Sequence, residues 1–250
     1  MARPRITIIH TSDVHLESDT FGKSEESKAY RQRIEVAFQK VVDRVIEENA
    51  DLFLIAGDLF DSNRVPESGV AFAHQELARV PCPVVLIPGN HDCYDERSIY
   101  KKVDFTAAGP HVYPLTQEEG ATIEFPHLHA TVWGRGMVEH DHAYRPLAGV
   151  PSRSRDYWHI GMAHGYFVDD DGWQRSSLIT PEEIAQSGLD YLALGHVHVF
   201  TDLSHGVTKA CYPGTPAPLH FGVDKGGSVA LVVLDPDTGV MLRQQKIILT

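Results

Sequence analysis

Two rhythms of apolar residues alternate through the first third of this chain. Residues 6–10 form a short continuous run that reads as a buried strand, closed by Thr11-Ser12-Asp13. Residues 16–27 are polar and read as a loop. Over 28–49, Ile34, Ala37, Phe38, Val41, Val42, Val45 and Ile46 recur at helical spacing, which predicts an amphipathic helix. Leu52–Ala56 is a second buried run, ended by Gly57-Asp58. Residues 67–80 return to helical spacing behind Pro66. Val84–Ile87 is a third run, ended by Pro88-Gly89-Asn90. Strand, helix, strand, helix, strand predicts right-handed crossovers and a parallel sheet. In such sheets ligands gather at the carboxyl ends of the strands, and each of the three runs gives way to polar residues there.

Beyond Tyr94 the pattern shortens. Residues 98–108 predict a short helix, and 111–113, 121–125 and 128–133 read as the strands of a meander. Residues 134–156 are rich in Gly, Pro, Arg and His and read as a surface loop with one helical turn. Residues 157–163 predict a strand that ends at His164, 165–177 look exposed, and 181–187 predict a short helix. Residues 191–194 form a strand ending at Gly195-His196. Residues 197–203, 207–212, 228–234 and 240–249 alternate like antiparallel strands, with a hairpin turn at Asp235-Pro236-Asp237-Thr238-Gly239. No repeat or linker divides the chain, so residues 1–250 are expected to form a single domain.

Composition narrows the function classes. The chain is 42% hydrophobic and 22% charged, as in soluble globular proteins. No apolar run approaches the ~18 residues of a membrane span, and residues 6–9 are too short for a signal peptide's apolar region. Cys82, Cys93 and Cys211 are odd in number and widely spaced, which argues against a disulfide framework and for a reducing cytoplasm. A net charge of −12 counts against a protein that wraps nucleic acid through a broad basic surface. Two divalent ions would nevertheless supply positive charge where a phosphate must sit. The 15 histidines are many for 250 residues and ask for an explanation.

The strand-end motifs provide one. Asp13-Val14-His15, Gly57-Asp58-Leu59-Phe60-Asp61, Gly89-Asn90-His91-Asp92, His164 and Gly195-His196-Val197-His198 supply Asp, His and Asn side chains. These are the hard and borderline ligands of a two-metal phosphate-ester site. Ions ~3.5–4 Å apart need a shared ligand, and the carboxylate of Asp58, directly behind a buried strand, is the expected bridge. Asp13 and His15 can face one side only where the chain bends or ends. His196 and His198 share that i, i+2 spacing, which on a strand puts both rings on one face. Asn90 offers a neutral carbonyl oxygen, while His91 would point elsewhere and reach a substrate. Mixed nitrogen and oxygen ligands suit Mn²⁺, with Fe or Zn²⁺ as alternatives, better than Mg²⁺ or Ca²⁺. The expected chemistry is in-line attack of an activated water on phosphorus, with His91 protonating the departing alkoxide.

Asp-x-His, Gly-Asp-x-x-Asp, Gly-Asn-His-Asp, a lone His and Gly-His-x-His, in that order, resemble the calcineurin-like metallophosphoesterase superfamily. The resemblance runs from Asp13 to about Phe221. It implies a four-layer αββα fold, two mixed β-sheets flanked by helices. It also implies one ion on Asp13, His15, Asp58 and His198, and a second on Asp58, Asn90, His164 and His196, with His91 as the acid. Within that superfamily, Ile9-His10-Thr11-Ser12-Asp13-Val14-His15-Leu16, Gly57-Asp58-Leu59-Phe60-Asp61 and Tyr191-Leu192-Ala193-Leu194-Gly195-His196 resemble DNA repair exonucleases of the SbcD type. So does Tyr212-Pro213-Gly214-Thr215-Pro216, a loop that lies near the substrate in that branch. The branch implies a DNA or nucleotide phosphodiester as substrate and an SbcC-like coiled-coil ATPase as partner. Two departures stand against this. Asp61 replaces a His of the archaeal and eukaryotic members, although bacterial members commonly have Asp there, and no C-terminal capping domain or ATPase-binding segment is evident. The alternatives are a small-molecule or nucleotide phosphodiesterase or phosphatase on the same scaffold, and a non-catalytic binding subunit.

Other polar residues have simpler readings. Asp61 is either an acceptor that orients a ligand histidine or a turn residue. Asp92 reads as a cap or a partner of His91. His10 reads as a satisfied core histidine, and His127 and His129 as solvated positions on a strand. His140-Asp141-His142 reads as a surface or substrate-side loop, and Asp169-Asp170-Asp171 as a solvated acidic turn. Arg135, Arg145, Arg153 and Arg155 either meet substrate phosphates or are scattered surface charge. The cysteines read as small buried apolar residues.

Overall fold

The computed structural model describes residues 3–18, 22, 24–153, 156–169, 176–217 and 227–249. In chain order its strands begin with β1 (Ile6–Thr11), β2 (Leu52–Ala56), β3 (Val84–Ile87), β4 (Val112–Pro114), β5 (Ala121–Phe125), β6 (Ala130–Gly134) and β7 (Trp158–His164). They continue with β8 (Tyr166–Phe167), β9 (Leu178–Ile179), β10 (Tyr191–Gly195), β11 (Thr201–Asp202), β12 (Lys209–Tyr212), β13 (Ser228–Asp235) and β14 (Gly239–Lys246). The helices are α1 (Glu25–Glu47), α2 (Glu67–Ala78), α3 (Ile99–Lys102) and α4 (Pro181–Gln186). Among the described residues the strands form two six-stranded sheets, β14-β13-β1-β2-β3-β4 and β11-β12-β10-β7-β6-β5, and a small β8-β9 pair.

The buried runs explain the layering. A strand sends alternate side chains to opposite faces, and here both faces are covered. In β2, Leu52, Leu54 and Ala56 enter the core between the two sheets, where they meet Ile160 and Met162 of β7 and Tyr191 and Ala193 of β10. Phe53 and Ile55 face the other way, onto Ile34, Phe38, Val41 and Val45 of α1 and Leu77 of α2. Leu192 and Leu194 of β10 face outward onto Ile184 of α4. The order is helix, sheet, sheet, helix, as expected. Strands β1, β2, β3 and β4 are mutually parallel, as are β6, β7, β10 and β12.

Several local expectations are corrected. Helix α1 begins earlier than residue 28, because Ser24 caps it by accepting from Ser27 N. The helix expected over 98–108 is two pieces, α3 and a 3₁₀ turn over Phe105–Ala108, whose cap is the Asp104 side chain. The meander is not formed. β4 joins the first sheet beside β3, and β6 pairs antiparallel with β5 but parallel with β7. His127 and His129 lie on the turn between β5 and β6, not on a strand. β12 is parallel to β10 and antiparallel to β11, and β11 is only Thr201–Asp202. Ser176 and Ser177, expected on an exposed segment, are buried. Among the described residues no helix is long and apolar enough to cross a membrane.

Candidate metal centre

Five strand ends meet at one edge of the two sheets. β1, β2 and β3 deliver the Asp13, Asp58 and Asn90 motifs from the first sheet, and β7 and β10 deliver His164 and His196 from the second. Glycines allow this meeting. A Cβ on Gly57 would overlap the His164 imidazole, one on Gly89 the Asp58 carboxylate, and one on Gly195 the Ala56 carbonyl. The loops are strained as well as crowded. Asp13, His15 and Asp58 take φ of 53°, 56° and 52°, a left-handed conformation that costs ~1–3 kcal/mol at each such residue. Main-chain hydrogen bonds hold it: Asp13 N donates to Gly57 O at 3.1 Å, Val14 N to Asp58 O at 2.9 Å and Leu16 N to Leu59 O at 2.9 Å. This bend is what turns Asp13 and His15 to the same side.

The eight expected side chains converge. Asp58 stands in the middle, its Oδ2 3.9 Å from His15 Nε2 and 3.4 Å from His164 Nε2. On one side, His15 Nε2 is 3.3 Å from His198 Nε2, which is 3.5 Å from Asp13 Oδ1. On the other, Asn90 Oδ1 is 2.9 Å from His164 Nε2 and 2.8 Å from His196 Nδ1. Ligand atoms of Asp13, His15 and His198 lie within 4.8 Å of one another, as do those of Asp13, Asp58 and His164, and of His15, Asp61 and His91. Asp13 Oδ1 is buried and, among the described residues, has no hydrogen-bond partner. A buried carboxylate oxygen left open in this way calls for a cation, and the donor set fits a borderline divalent metal.

Charge at the cluster follows from burial and proximity. Burial alone would raise Asp58 and Asp13, but His164 beside the first and His198, His164 and His15 around the second outweigh it and hold both below the usual carboxylate range. His164 shows the converse. Burial would lower it, yet Asp58 and Asp13 carry it up to about 9. In the metal-free protein this imidazole therefore supplies positive charge to the carboxylates. His15 is raised for the same reason, with Asp61 the largest of the forces opposing burial. His196 is lowered to about 4, by burial first and then by His164.

The reading that placed His196 and His198 on one face of a strand is corrected. β10 ends at Gly195, and His196 has φ 114°, so both rings stand on a loop. The Asp13 carboxylate sets that turn by accepting from His196 N at 3.0 Å. As a result the two rings approach from different directions, His196 through Nδ1 and His198 through Nε2. Thr215 N donates to His198 O at 3.3 Å, which ties the 212–216 loop to the main chain of His198.

Asp61 resolves as an orienting acceptor. Its Oδ1 is 3.0 Å from His15 Nδ1 and 3.6 Å from His91 Nδ1, and its carbonyl accepts from His91 Nδ1 at 2.9 Å. Asp92 is not a partner of His91. It is buried, accepts from Gly89 N at 2.8 Å, Tyr100 OH at 3.0 Å, Phe60 N at 3.2 Å and Asp58 N at 3.3 Å, and so ties two of the loops together. His10 is a core residue bonded to Tyr191 OH at 2.7 Å. Cys82 and Cys211 are buried thiols and Cys93 is half-buried. The arginines serve the protein itself: Arg135 reaches main-chain carbonyls, Arg145 pairs with Glu183 and Arg153 with Asp190. Arg155, Asp170 and Asp171 lie outside the described residues. Of the loop histidines, His140 does reach the centre, with its ring 5.4 Å from that of His196. Ser176, between them, carried no sequence signal at all.

Comparison with known proteins agrees with this geometry. Residues 6–200 match the calcineurin-like phosphoesterase family. A metallophosphoesterase of Bacillus subtilis, YhaO, is 28% identical over 230 residues, covering 86% of this chain and 54% of that protein. The DNA double-strand break repair protein Mre11 of Saccharolobus solfataricus is 29% identical over 203 residues, covering 77% of this chain and 49% of that protein. The chain thus spans about half the length of these relatives. The crystal structure of TT1561 from Thermus thermophilus superposes with a TM-score of 0.57 at 14% identity over 98% of this chain and 99% of that one, a likeness of fold. The chain belongs to the calcineurin-like phosphoesterase family of metal-dependent phosphate-ester hydrolases.

Proposed function

We propose that this chain hydrolyses phosphodiester bonds at a centre of two divalent ions. Asp13, His15, Asp58 and His198 would hold one ion, and Asp58, Asn90, His164 and His196 the other. The observation that carries the reading is the Asp58 carboxylate, placed between two clusters of nitrogen and oxygen donors. When bound, such ions polarise a phosphoryl group and acidify water. The chain's own residues do the rest. Asp61 and the Ala56 carbonyl hold the outer nitrogens of His15 and His164, so that each presents Nε2 to the centre. His91 is suited to the proton. Its side chain is 42% exposed, against 0% for His164. With Nδ1–H given to the Asp61 carbonyl, a second hydrogen carried on Nε2 is the one to pass to a departing alkoxide. The mixed nitrogen and oxygen donors suit Mn²⁺, Fe or Zn²⁺ better than Mg²⁺ or Ca²⁺, and Mn²⁺ is the metal proposed.

The substrate reading is nuclease-like, of the SbcD type, and the similarity to a DNA break repair protein supports it. An SbcC-like ATPase partner belongs to that reading and falls with it. A small or nucleotide phosphodiester is the second reading. It is favoured by the net charge of −12 and by arginines engaged with the protein's own groups. Mn²⁺-dependent hydrolysis of a model phosphodiester, a model phosphomonoester and linear duplex DNA decides between them. Degradation of the duplex from its ends supports the first, and cleavage of the small diester alone supports the second. Turnover of the monoester only would overturn the diesterase reading.

A further inference from the structure

Every imidazole that presents one nitrogen to the centre has a second nitrogen to place. His164 Nδ1 donates to the Ala56 carbonyl at 2.8 Å, and His15 Nδ1 faces Asp61 at 3.0 Å. His196 is turned the other way round. Its Nδ1 faces Asn90 Oδ1, so its outer nitrogen is Nε2, which lies 3.3 Å from Ser176 Oγ. Ser176 is buried, and its hydroxyl oxygen lies 3.0 Å from His140 Nε2.

A hydroxyl has one hydrogen to give and an oxygen that accepts. For His196 Nδ1 to offer its lone pair, Nε2 must carry the hydrogen and donate to Ser176 Oγ. The Ser176 hydroxyl hydrogen is then free to be donated onward to His140 Nε2. A cation at Nδ1 thus fixes the direction of the first hydrogen bond, and the second completes the row. A second contact keeps the row in place: Ser177 Oγ donates to the Asp141 carbonyl at 3.0 Å, which fastens the segment carrying Ser176 to the one carrying His140. The His140 ring then stands nearly edge-on to His196, at 63°.

We propose that Ser176 and His140 are positioning residues for His196, a hydroxyl–imidazole pair that fixes its tautomer and ring plane for the ion shared with Asn90. The pairing rests on the two-ion reading above. Partners of this kind are worth about 10–100-fold in metal affinity, and this pair acts on one ion only, because His15 and His198 lie across Asp58 from it.

The test is a titration of the chelator-stripped protein with Mn²⁺, followed by calorimetry and by the spin-resonance signal of the free ion. The wild type shows two classes of site. Ser176→Ala and His140→Ala each weaken one class by about 10–100-fold and leave the other as it was. The double variant is no weaker than either single one, since the row is broken once. His140→Gln, whose amide oxygen accepts the same hydroxyl hydrogen, recovers most of the loss. His140 lies at the surface, so its variants keep the question open to test should Ser176→Ala fail to fold. Unchanged titrations in both single variants overturn the pairing, and so does equal weakening of both classes. A wild type that takes up fewer than two ions overturns the two-ion reading itself, and the pairing with it.

Discussion

Stripping divalent ions turns the stability of this protein into a titration of His164. That imidazole is buried against Asp58 and sits at about 9 in the fold, above its ordinary 6.5. A group raised on folding stabilises fully below its unfolded value, and the contribution is lost as pH rises through the folded one. The window is therefore pH 6.5 to about 9. At about 1.4 kcal/mol for each pH unit, the rise from 6.5 to about 9 sets a ceiling of ~3 kcal/mol. His15, also raised, acts in the same direction. Other shifted groups act elsewhere. His196, lowered to about 4, keeps its contribution above 6.5 and loses it as pH falls through about 4. Asp92, raised to about 6 by burial and by Asp58, has its effect between 3.8 and about 6. Burial pushes Cys82 and Cys211 up to about 12, so their effect begins only where free thiols ionise, above about 8.5. Urea unfolding in the presence of chelator should thus show stability falling by ~2–3 kcal/mol between pH 6.5 and about 8.5. His164→Asn should flatten most of that slope. The metal-loaded protein should behave oppositely over the same range, because binding needs neutral imidazole. Stability of the stripped protein that stays level or rises with pH would refute the placement of His164 as the stand-in cation.

Three further outcomes bear on the centre. Asp58→Asn should lose most bound metal by elemental analysis, because the shared carboxylate becomes a neutral amide; retention of two ions per chain counts against the bridge. His91→Ala should keep its metal yet lose about 10²–10⁴-fold in kcat on diesters with poor leaving groups. Equal loss on good and poor leaving groups would remove its role as the acid. Gly195→Ala places a Cβ against the Ala56 carbonyl, part of a neighbouring strand's backbone. It should cost at least the ~1–3 kcal/mol of overpacking, read as a lower Tm, and a wild-type Tm would contradict the close approach of the two sheets there.

What was legible in the chain was what depends on near neighbours. A continuous apolar run followed by Ser-Asp, Gly-Asp, Gly-Asn or Gly-His announces a buried strand and its end, and β1, β2, β3 and β10 lie where those runs predict. The ligand types could be read for the same reason, since a strand end is a local property and the parallel sheet gathers such ends. Pairing of the short strands was not legible. β4 and β6 are each too short to reveal in their own residues which sheet has an edge open to them. The relation of His196 to His198 failed on the same ground. Alternation assumes a continuing strand, and the turn at φ 114° is imposed by Asp13, whose carboxylate accepts the His196 amide hydrogen across 183 positions. A metal centre thus has two kinds of determinant. The inward nitrogens and oxygens come from motifs that spacing reveals. The outward nitrogens of the same rings are answered by Asp61, the Ala56 carbonyl and Ser176, of which only Asp61 lies in a motif. Tautomer and ring orientation are set by that outer set, so a sequence can name the ligands of such a site while leaving open the geometry in which they bind.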